Sequence, residues 1–393
     1  MSGGNGGPAV LLINAFGFGG AERAVALAAK SLRHWGRDVR LLALETPPPG
    51  KAIDVGMPVV PLSNMRTDST PAFKLLALPI LAARLAAYVR REGATAVMSH
   101  LFRANFVNVL SRSAFGAAHR VVVVNHTRLS RLGGEGGSGR ISSLLCRLLY
   151  PRADVIASVS KGAAIECAQR LRLRPGLSIP LFDPVDIERG KTAATDSPAA
   201  HALVAVGRLV PLKRYGDLVE AFSRLAPAYP GLVLRIVGEG PALPSLRRLA
   251  SASKAADRIH FLGRLGDPFA AIAGCRAFIS ASETEGFGIA IVEALSAKVP
   301  VIASDCAFGP REILAPSSDP SRFLDSRSEY EVAEYGILYP VGSVDALEKA
   351  IRRMLDDDRL SGTFARLGPL RAESFSSHCT VAEYEKLLFV RSP

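Results

Sequence analysis

Residues 9–45 read AVLLINAFGFGGAERAVALAAKSLRHWGRDVRLLALE. The opening run, Ala9–Asn14, is almost wholly apolar, as in a strand covered on both faces of a parallel sheet. A glycine-rich loop, Phe16 to Gly20, follows it. From Ala21 the apolar residues recur at helical spacing, and Gly36 supplies a C-cap. Residues 38–45 return to an apolar strand. Strand, glycine loop, helix and strand make a βαβ unit, which predicts a doubly wound parallel sheet.

The alternation continues outward from this unit. Helices are expected at 73–91, 102–114 and 141–149, and strands at 95–100, 120–126 and 153–159. Residues 127–140, polar and rich in glycine, read as a loop. Residues 182–200 have turn-forming residues and no apolar period, and read as a linker. The pattern then restarts with strands at 201–208, 232–241, 258–263, 277–282 and 300–305, separated by helices. Residues 373–390 form a last expected helix. The reading is therefore of two α/β domains, 1–185 and 186–372, with a C-terminal helix at 373–393.

Composition narrows the class. The chain has 393 residues, 48% of them hydrophobic and 21% charged, which excludes wholesale disorder. Its net charge is +12, and all of the excess lies in residues 1–190, which hold 24 basic and 12 acidic side chains. Such asymmetry points to an anionic partner for the first half. The five cysteines are widely spaced with no CxxC pair, which suits a reducing compartment and neither a disulfide framework nor a zinc site. The N-terminus lacks the pattern of a signal peptide. The apolar stretch Phe73 to Val89 is broken by Lys74, Pro79 and Arg84 and is too short to span a bilayer. A cytoplasmic chain is expected.

Four loop motifs carry chemistry. Gly17 to Glu22, with Gly19 and Gly20, opens the first helix; it is either a tight turn or a backbone approach for an anion. Arg208 and Lys213 follow a strand, either as a solvated basic loop or as a pair able to neutralise a diphosphate. Glu285, Gly286, Phe287, Gly288 and Ile289 lead into a helix that carries Glu293. Two carboxylates eight residues apart thus bracket a glycine turn at a helix start, and each can accept hydrogen bonds from hydroxyls of one extended ligand. Glu293 sits within IAIVEAL, whose apolar character argues against a surface charge. His126 ends the strand RVVVVNH, and is either a satisfied terminal histidine or a group facing a ligand.

Together these motifs resemble glycosyltransferase family 4, the retaining, nucleotide-sugar-dependent enzymes of GT-B fold. EGFG…E at 285–293 matches the E-x7-E pattern, with GR…K at 207–213, GGAE at 19–22 and VGEGP at 237–241 in the same order. The resemblance spans essentially the whole chain. It implies an α/β GT-B architecture, two doubly wound Rossmann-like domains facing a central cleft, with the last helix crossing back onto the first domain. It places Gly19 and Gly20 near the donor phosphates, and Arg208 and Lys213 around the diphosphate. Glu285 would bind sugar hydroxyls, the backbone of Phe287, Gly288 and Ile289 would contact sugar and phosphate, and Glu293 would hold the ribose. Gly238 and Glu239 would lie by the nucleotide base, and His126 by the anomeric carbon. The leaving diphosphate would take the acceptor proton, so neither a metal nor another cofactor is implied. Two departures stand out: Arg214 follows Lys213 where many relatives have glycine, and Asp183 replaces the asparagine of an Asn-Pro-Val-Asp linker. The run Asp356-Asp-Asp358 follows a helix rather than a strand and reads as a solvated helix end.

The stretch SDCAFGPREIL (304–314) resembles a subset that builds bacterial surface polysaccharides and lipid-linked oligosaccharides with UDP-hexoses or UDP-N-acetylhexosamines. The expected acceptor is a polyprenyl-diphosphate-linked glycan. The basic first half, through residues 73–91 and Arg128, Arg131, Arg140, Arg147 and Arg152, would dock on the anionic inner face of the cell membrane. The apolar side of 73–91 reads equally well as ordinary core. Three alternatives stand beside this reading: another GT-B enzyme such as a nucleotide-sugar 2-epimerase, a catalytically dead binding subunit, and a basic nucleic-acid-binding protein. The last would need a basic stripe interleaved with aromatics, and aromatics are 7% here.

Overall fold

The computed structural model describes residues 7–50, 52–130, 136–192, 201–267 and 269–390, with backbone alone for 136–138. Residues 1–6, 51, 131–135 with Arg131, 193–200 of the expected linker, 268 and 391–393 lie outside that set. The chain divides into two compact units, Met1–Pro184 with Ser377–Pro393, and Val185–Ser376.

In the first unit β1 (Ala9–Ile13), α1 (Gly20–His34), β2 (Val39–Ala43) and β3 (Val59–Pro61) are followed by α2 (Pro71–Leu76), α3 (Leu78–Glu92) and β4 (Ala96–His100). Then come α4 (Phe102–Ser113), β5 (Arg120–Asn125), α5 (Gly136–Leu149), β6 (Val155–Ser158), α6 (Lys161–Leu171) and β7 (Ser178–Pro180). The strands form one sheet in the order β3-β2-β1-β4-β5-β6-β7. Every ladder among them is parallel. All five residues of β1 are inaccessible to solvent, as a strand covered on both faces must be.

In the second unit α7 (Ile187–Thr192), β8 (Ala202–Val206), α8 (Tyr215–Leu225), β9 (Val233–Val237), α9 (Leu243–Ser251) and β10 (Ile259–Gly263) come first. They are followed by α10 (Phe269–Ile272), β11 (Ala277–Ser280), α11 (Ile289–Ser296), β12 (Val301–Ser304) and α12 (Pro310–Leu314). β13 (Glu331–Val332), β14 (Ile337–Tyr339), α13 (Val344–Asp356) and α14 (Asp358–Glu373) complete it. The strand order is β10-β9-β8-β11-β12-β14-β13, parallel except for the β13–β14 pair. The chain then re-enters the first unit as α15 (Ser377–Phe389). There Tyr384 stacks on His100 and Arg37 pairs with Glu385 at 2.5 Å.

Several expectations need correction. The helix expected at 73–91 is two helices, because Pro79 has no N–H to offer the Leu75 carbonyl and the turn breaks at Ala77. One apolar side of α3, with Leu81, Leu85 and Val89, belongs to the core of the first unit, while Phe73, Leu76 and Ile80 of the same stretch are exposed. α5 starts at Gly136, five residues before the expected start. Part of the expected linker is helical, as α7. The last helix starts at Ser377 rather than Glu373, which ends α14. Strands β3 and β7 and helix α6 were not anticipated; β3 and β7 are short edge strands with only three residues each.

One glycine fixes how the loops of the second sheet meet. Gly238 ends β9 at φ 143°, and a Cβ there would stand 1.9 Å from the Gly207 carbonyl oxygen. Gly238→Ala is therefore expected to cost about 2 kcal/mol or more through strain and overpacking. A melt should show the second unit losing roughly 4–8 °C.

Candidate functional site

In each sheet the strand order reverses between the first strand and its neighbour, β1 against β4 and β8 against β11. Connections leave these two strands in opposite directions, so a crevice opens at their carboxyl ends. In the second unit the loops that border this crevice carry most of the expected site residues.

The loop after β8 is tied to the loop after β9. Gly207 N–H donates to the Val237 carbonyl at 3.0 Å, and Leu209 N–H to the Glu239 carbonyl at 2.9 Å. It is also tied to the loop after β11, where Glu283 N–H donates to the Leu212 carbonyl at 2.7 Å. Pinned in this way, Lys213 reaches across the crevice to Glu285, Nζ to Oε1 at 2.5 Å. The Ser282 hydroxyl donates to the same carboxylate oxygen at 2.6 Å. Both charged side chains are largely covered, with 24% and 14% exposed. Arg208 is exposed and makes no ion pair among the described residues. The expected clamp of Arg208 with Lys213 is thus open, and Lys213 rests on the carboxylate expected to bind the sugar.

Behind Glu285 stands a frame that motif reading did not resolve. Phe308 N–H donates to the Glu285 carbonyl at 3.1 Å, and the Thr284 hydroxyl to the Ala307 carbonyl at 2.6 Å. Residues 305–311 are locked by Arg311, which grips Asp305 with Nε and Nη2 at 3.0 and 2.7 Å and reaches Glu331 at 2.8 Å. This buried pairing accounts for Asp305 and Arg311 of the SDCAFGPREIL stretch. Gly288, at φ 110°, caps α11, which begins at Ile289 with no side chain capping its first turn. The Phe287 ring turns inward, edge-on to Phe375 with centroids 5.0 Å apart. Glu293, two turns along, is 3% exposed, which removes the surface-charge alternative. Buried Cys306 lies by this site, and burial pushes its thiol up to about 12, so it is not a nucleophile at neutral pH.

In the first unit Gly19 caps α1, and a Cβ there would collide with the Glu22 carboxylate, 1.9 Å away, so Glu22 folds back over the helix start. Gly20 is the first residue of α1 and is exposed. His126 is held on both sides. Its Nδ1 lies 3.4 Å from Asp183 Oδ2, and its Nε2 lies 2.9 Å from His100 Nδ1. Both ring nitrogens thus face partners within the first unit. Asp183, the departure from the linker pattern, is instead the buried partner of that histidine. His100 and Tyr384, which complete the cluster, lie too far apart in sequence for a motif to show.

No group of three or more metal-ligating side chains gathers among the described residues. The Asp356–Asp358 run is spread over separate partners. Asp356 accepts from the Tyr229 hydroxyl at 2.7 Å, Asp357 caps α14 at the Leu360 N–H, and Asp358 pairs with Arg276 at 2.5 Å.

Residues 197–368 match the family described as Glycosyl transferases group 1. Residues 19–176 match the one described as Glycosyl transferase 4-like domain. Over 93% of its length the chain is 28% identical to the N-acetylgalactosamine-N,N'-diacetylbacillosaminyl-diphospho-undecaprenol 4-alpha-N-acetylgalactosaminyltransferase of Campylobacter jejuni, covering 94% of that protein. Among solved structures, sucrose-phosphate synthase from Thermosynechococcus elongatus superposes with a TM-score of 0.78 at 19% identity, over 97% of this chain and 98% of that one. HepE of Anabaena, crystallised with UDP and glucose, superposes with a TM-score of 0.74 at 19% identity, over 97% and 99%. These two share the GT-B fold.

The buried histidines set a pH dependence. Burial, then the neighbouring His126, drives the His100 pKa down, and burial lowers that of His119 to about 4. Unfolded histidines take up protons near pH 6.5, the folded ones only at lower pH. Stability is therefore full above about 6.5 and falls below it as pH drops towards 4, by up to about 1.4 kcal/mol per pH unit for each ring. Denaturant unfolding between pH 7.5 and 5 should show this slope, and His119→Asn should flatten it.

Proposed function

Because the chain belongs to the GT4-like glycosyltransferases and has the GT-B fold, we propose that it moves a hexose or N-acetylhexosamine, with retention, from a UDP-sugar to a polyprenyl-diphosphate-linked glycan. The observation that carries this reading is the Lys213–Glu285 pair, poised at the strand reversal of the second sheet beside the start of α11. A bound diphosphate would draw Lys213 away and recruit exposed Arg208. Glu285, released, would accept hydrogen bonds from donor-sugar hydroxyls, and Glu293 from the ribose. The amides at the head of α11 would face phosphate oxygens. As the sugar–oxygen bond breaks, negative charge grows on the leaving diphosphate, and cations held in place by the loop network stabilise it without reorganising. A diphosphate oxygen on the same face then takes the acceptor proton. No metal or other cofactor enters this scheme. The undecaprenol-diphosphate-linked substrate named for the Campylobacter jejuni relative supports the lipid-linked acceptor, and the UDP held by HepE supports the donor.

The same reading places the protein at a membrane surface. No helix among the described residues is long and apolar enough to cross a bilayer. α5, however, exposes Ile141, Leu144 and Leu148 at helical spacing, with exposed Arg140 and Arg147 beside them. Such a stripe fits an interfacial helix on anionic lipid. Vesicle co-sedimentation at low salt should favour anionic over neutral lipid, and Leu144→Ser with Leu148→Ser should weaken it. Equal partition to both lipids would remove the membrane from the reading.

For the chemistry, Lys213→Ala and Glu285→Ala should each cut transfer by about 10²–10³-fold or more, the cost of losing one charge-stabilising group. A thermal-shift panel of UDP-, GDP- and ADP-sugars should show the UDP series stabilising the wild type most. Turnover like wild type in either variant would refute the assigned site.

A further inference from the structure

The buried charges behind Glu285 are not explained by stability. The side chains of Arg311 and Asp305 are 6% and 0% exposed. Two opposite charges removed from water together add little to folding, because desolvation offsets their attraction, and apolar side chains of like volume often fill the same space as well. What the pair has and apolar packing lacks is direction: a planar guanidinium and a carboxylate meet in one geometry. Arg311 adopts it, with Nε 3.0 Å from Asp305 Oδ1 and Nη2 2.7 Å from Oδ2. Burial disfavours the charge on Arg311, but its hydrogen bonds to Asp305 and Glu331 outweigh that and raise its pKa.

The two residues stand at the ends of the loop 305–311, and their pairing closes it like a staple. A further layer fixes the staple from outside. Glu331 of β13 accepts from Arg311 Nη2 at 2.8 Å, and the Leu324 N–H donates to Asp305 Oδ2 at 2.7 Å. The Phe323 ring lies against Phe308, centroids 5.9 Å apart. Inside the loop the contacts lead to Glu285. The Thr284 hydroxyl donates to the Ala307 carbonyl at 2.6 Å, and the Phe308 N–H to the Glu285 carbonyl at 3.1 Å. Gly309 passes so close to Phe287 that a Cβ there would stand 1.9 Å from its carbonyl oxygen. Ser282, whose hydroxyl donates to the Glu285 carboxylate at 2.6 Å, has its own carbonyl held by the Ser304 hydroxyl at 2.5 Å.

The backbone of Glu285 and the serine on its carboxylate are thus both seated on residues 304–309. Lys213 takes its position from elsewhere, through backbone bonds to the loops after β9 and β11. The two halves of the site therefore have separate supports. We propose that Arg311 and Asp305 are positioning residues, whose pairing sets Glu285 where it receives the sugar of the donor and leaves the nucleotide to other residues. This rests on the glycosyl-transfer reading above and adds the residues on which recognition of the sugar depends.

Removing one partner alone strands a buried charge and threatens the fold, so the test uses two gentler variants of the full chain. Arg311→Lys keeps the charge and loses the fork. Asp305→Asn combined with Arg311→Met removes both charges at similar volume, and the asparagine still accepts from the Leu324 N–H. Each is titrated calorimetrically with UDP, UDP-glucose, UDP-galactose and UDP-N-acetylgalactosamine, and hydrogen exchange is followed over residues 282–309. Both variants should bind UDP as wild type does. Affinity for the UDP-sugar that wild type prefers should fall about tenfold or more, the cost of misplacing a hydrogen-bonding carboxylate. Amides of 284–287 should exchange faster than in wild type. A part in folding alone would weaken UDP and UDP-sugar in step. That outcome overturns the proposal, as does a UDP-sugar affinity like wild type in both variants. Faster exchange at 284–287 in a protein whose wild type binds neither UDP nor any of the UDP-sugars would sink the glycosyl-transfer reading while upholding the hold of the staple on Glu285.

Discussion

Parallel strands need crossover connections, and a sheet wound outward in both directions from its first strand must reverse somewhere. At that reversal no connection covers the carboxyl ends of the two central strands. Both units of this protein are built on that constraint, at β1–β4 and β8–β11. The four central strands are largely buried and apolar, with His100 at the end of β4 an exception. Charged side chains gather beyond their carboxyl ends in both units: Lys213 with Glu285 in one, Glu45 with Lys74 of α2 and Arg103 of α4 in the other.

The two clusters are alike in physics. Each joins opposite charges in a partly covered site, where desolvation offsets much of the Coulomb attraction and the net gain is close to zero. Pairs of this kind contribute little to folding stability, so stability is not what they are arranged for. They are easily exchanged for a ligand that offers matching charge or hydroxyl groups. The loop network around Lys213 makes that exchange economical, since backbone bonds to the loops after β9 and β11 fix its position before any ligand arrives. The Asp305–Arg311–Glu331 clamp does the same for Glu285 from behind.

The fold was legible because buried parallel strands leave continuous apolar runs, and the runs at 9–14, 120–126 and 201–206 stand out in the sequence. β3 and β7 were not, since edge strands of three residues leave no run to see. In the second unit the site was legible because Glu285, Gly288 and Glu293 share one short segment, whose spacing survives folding as a loop and a helix. The His100–His126–Asp183–Tyr384 cluster and the Glu45–Lys74–Arg103 cluster escaped notice for the opposite reason. Each draws its members from separate strands and helices, and only the folded sheet brings them together. Spacing could not have shown either. The one local hint was Asp183, which stood out as a departure from a pattern and proved to be the partner of His126.

The charge asymmetry also acquires a structural account. Several arginines of the first unit donate to backbone carbonyls: Arg84 to Leu62, Arg90 to Phe115 and Arg152 to Leu148. A carbonyl completes a hydrogen bond without contributing a formal charge. These side chains are thus held in place while the excess of positive charge goes uncancelled. At physiological salt such a field reaches roughly 8 Å, far enough to act on an anionic surface near the unit but not to steer partners from afar. Other arginines of the unit, among them Arg37, Arg40 and Arg112, do pair with carboxylates, so the excess rests with those held by carbonyls. Acidic partners would have anchored them equally well and abolished the field.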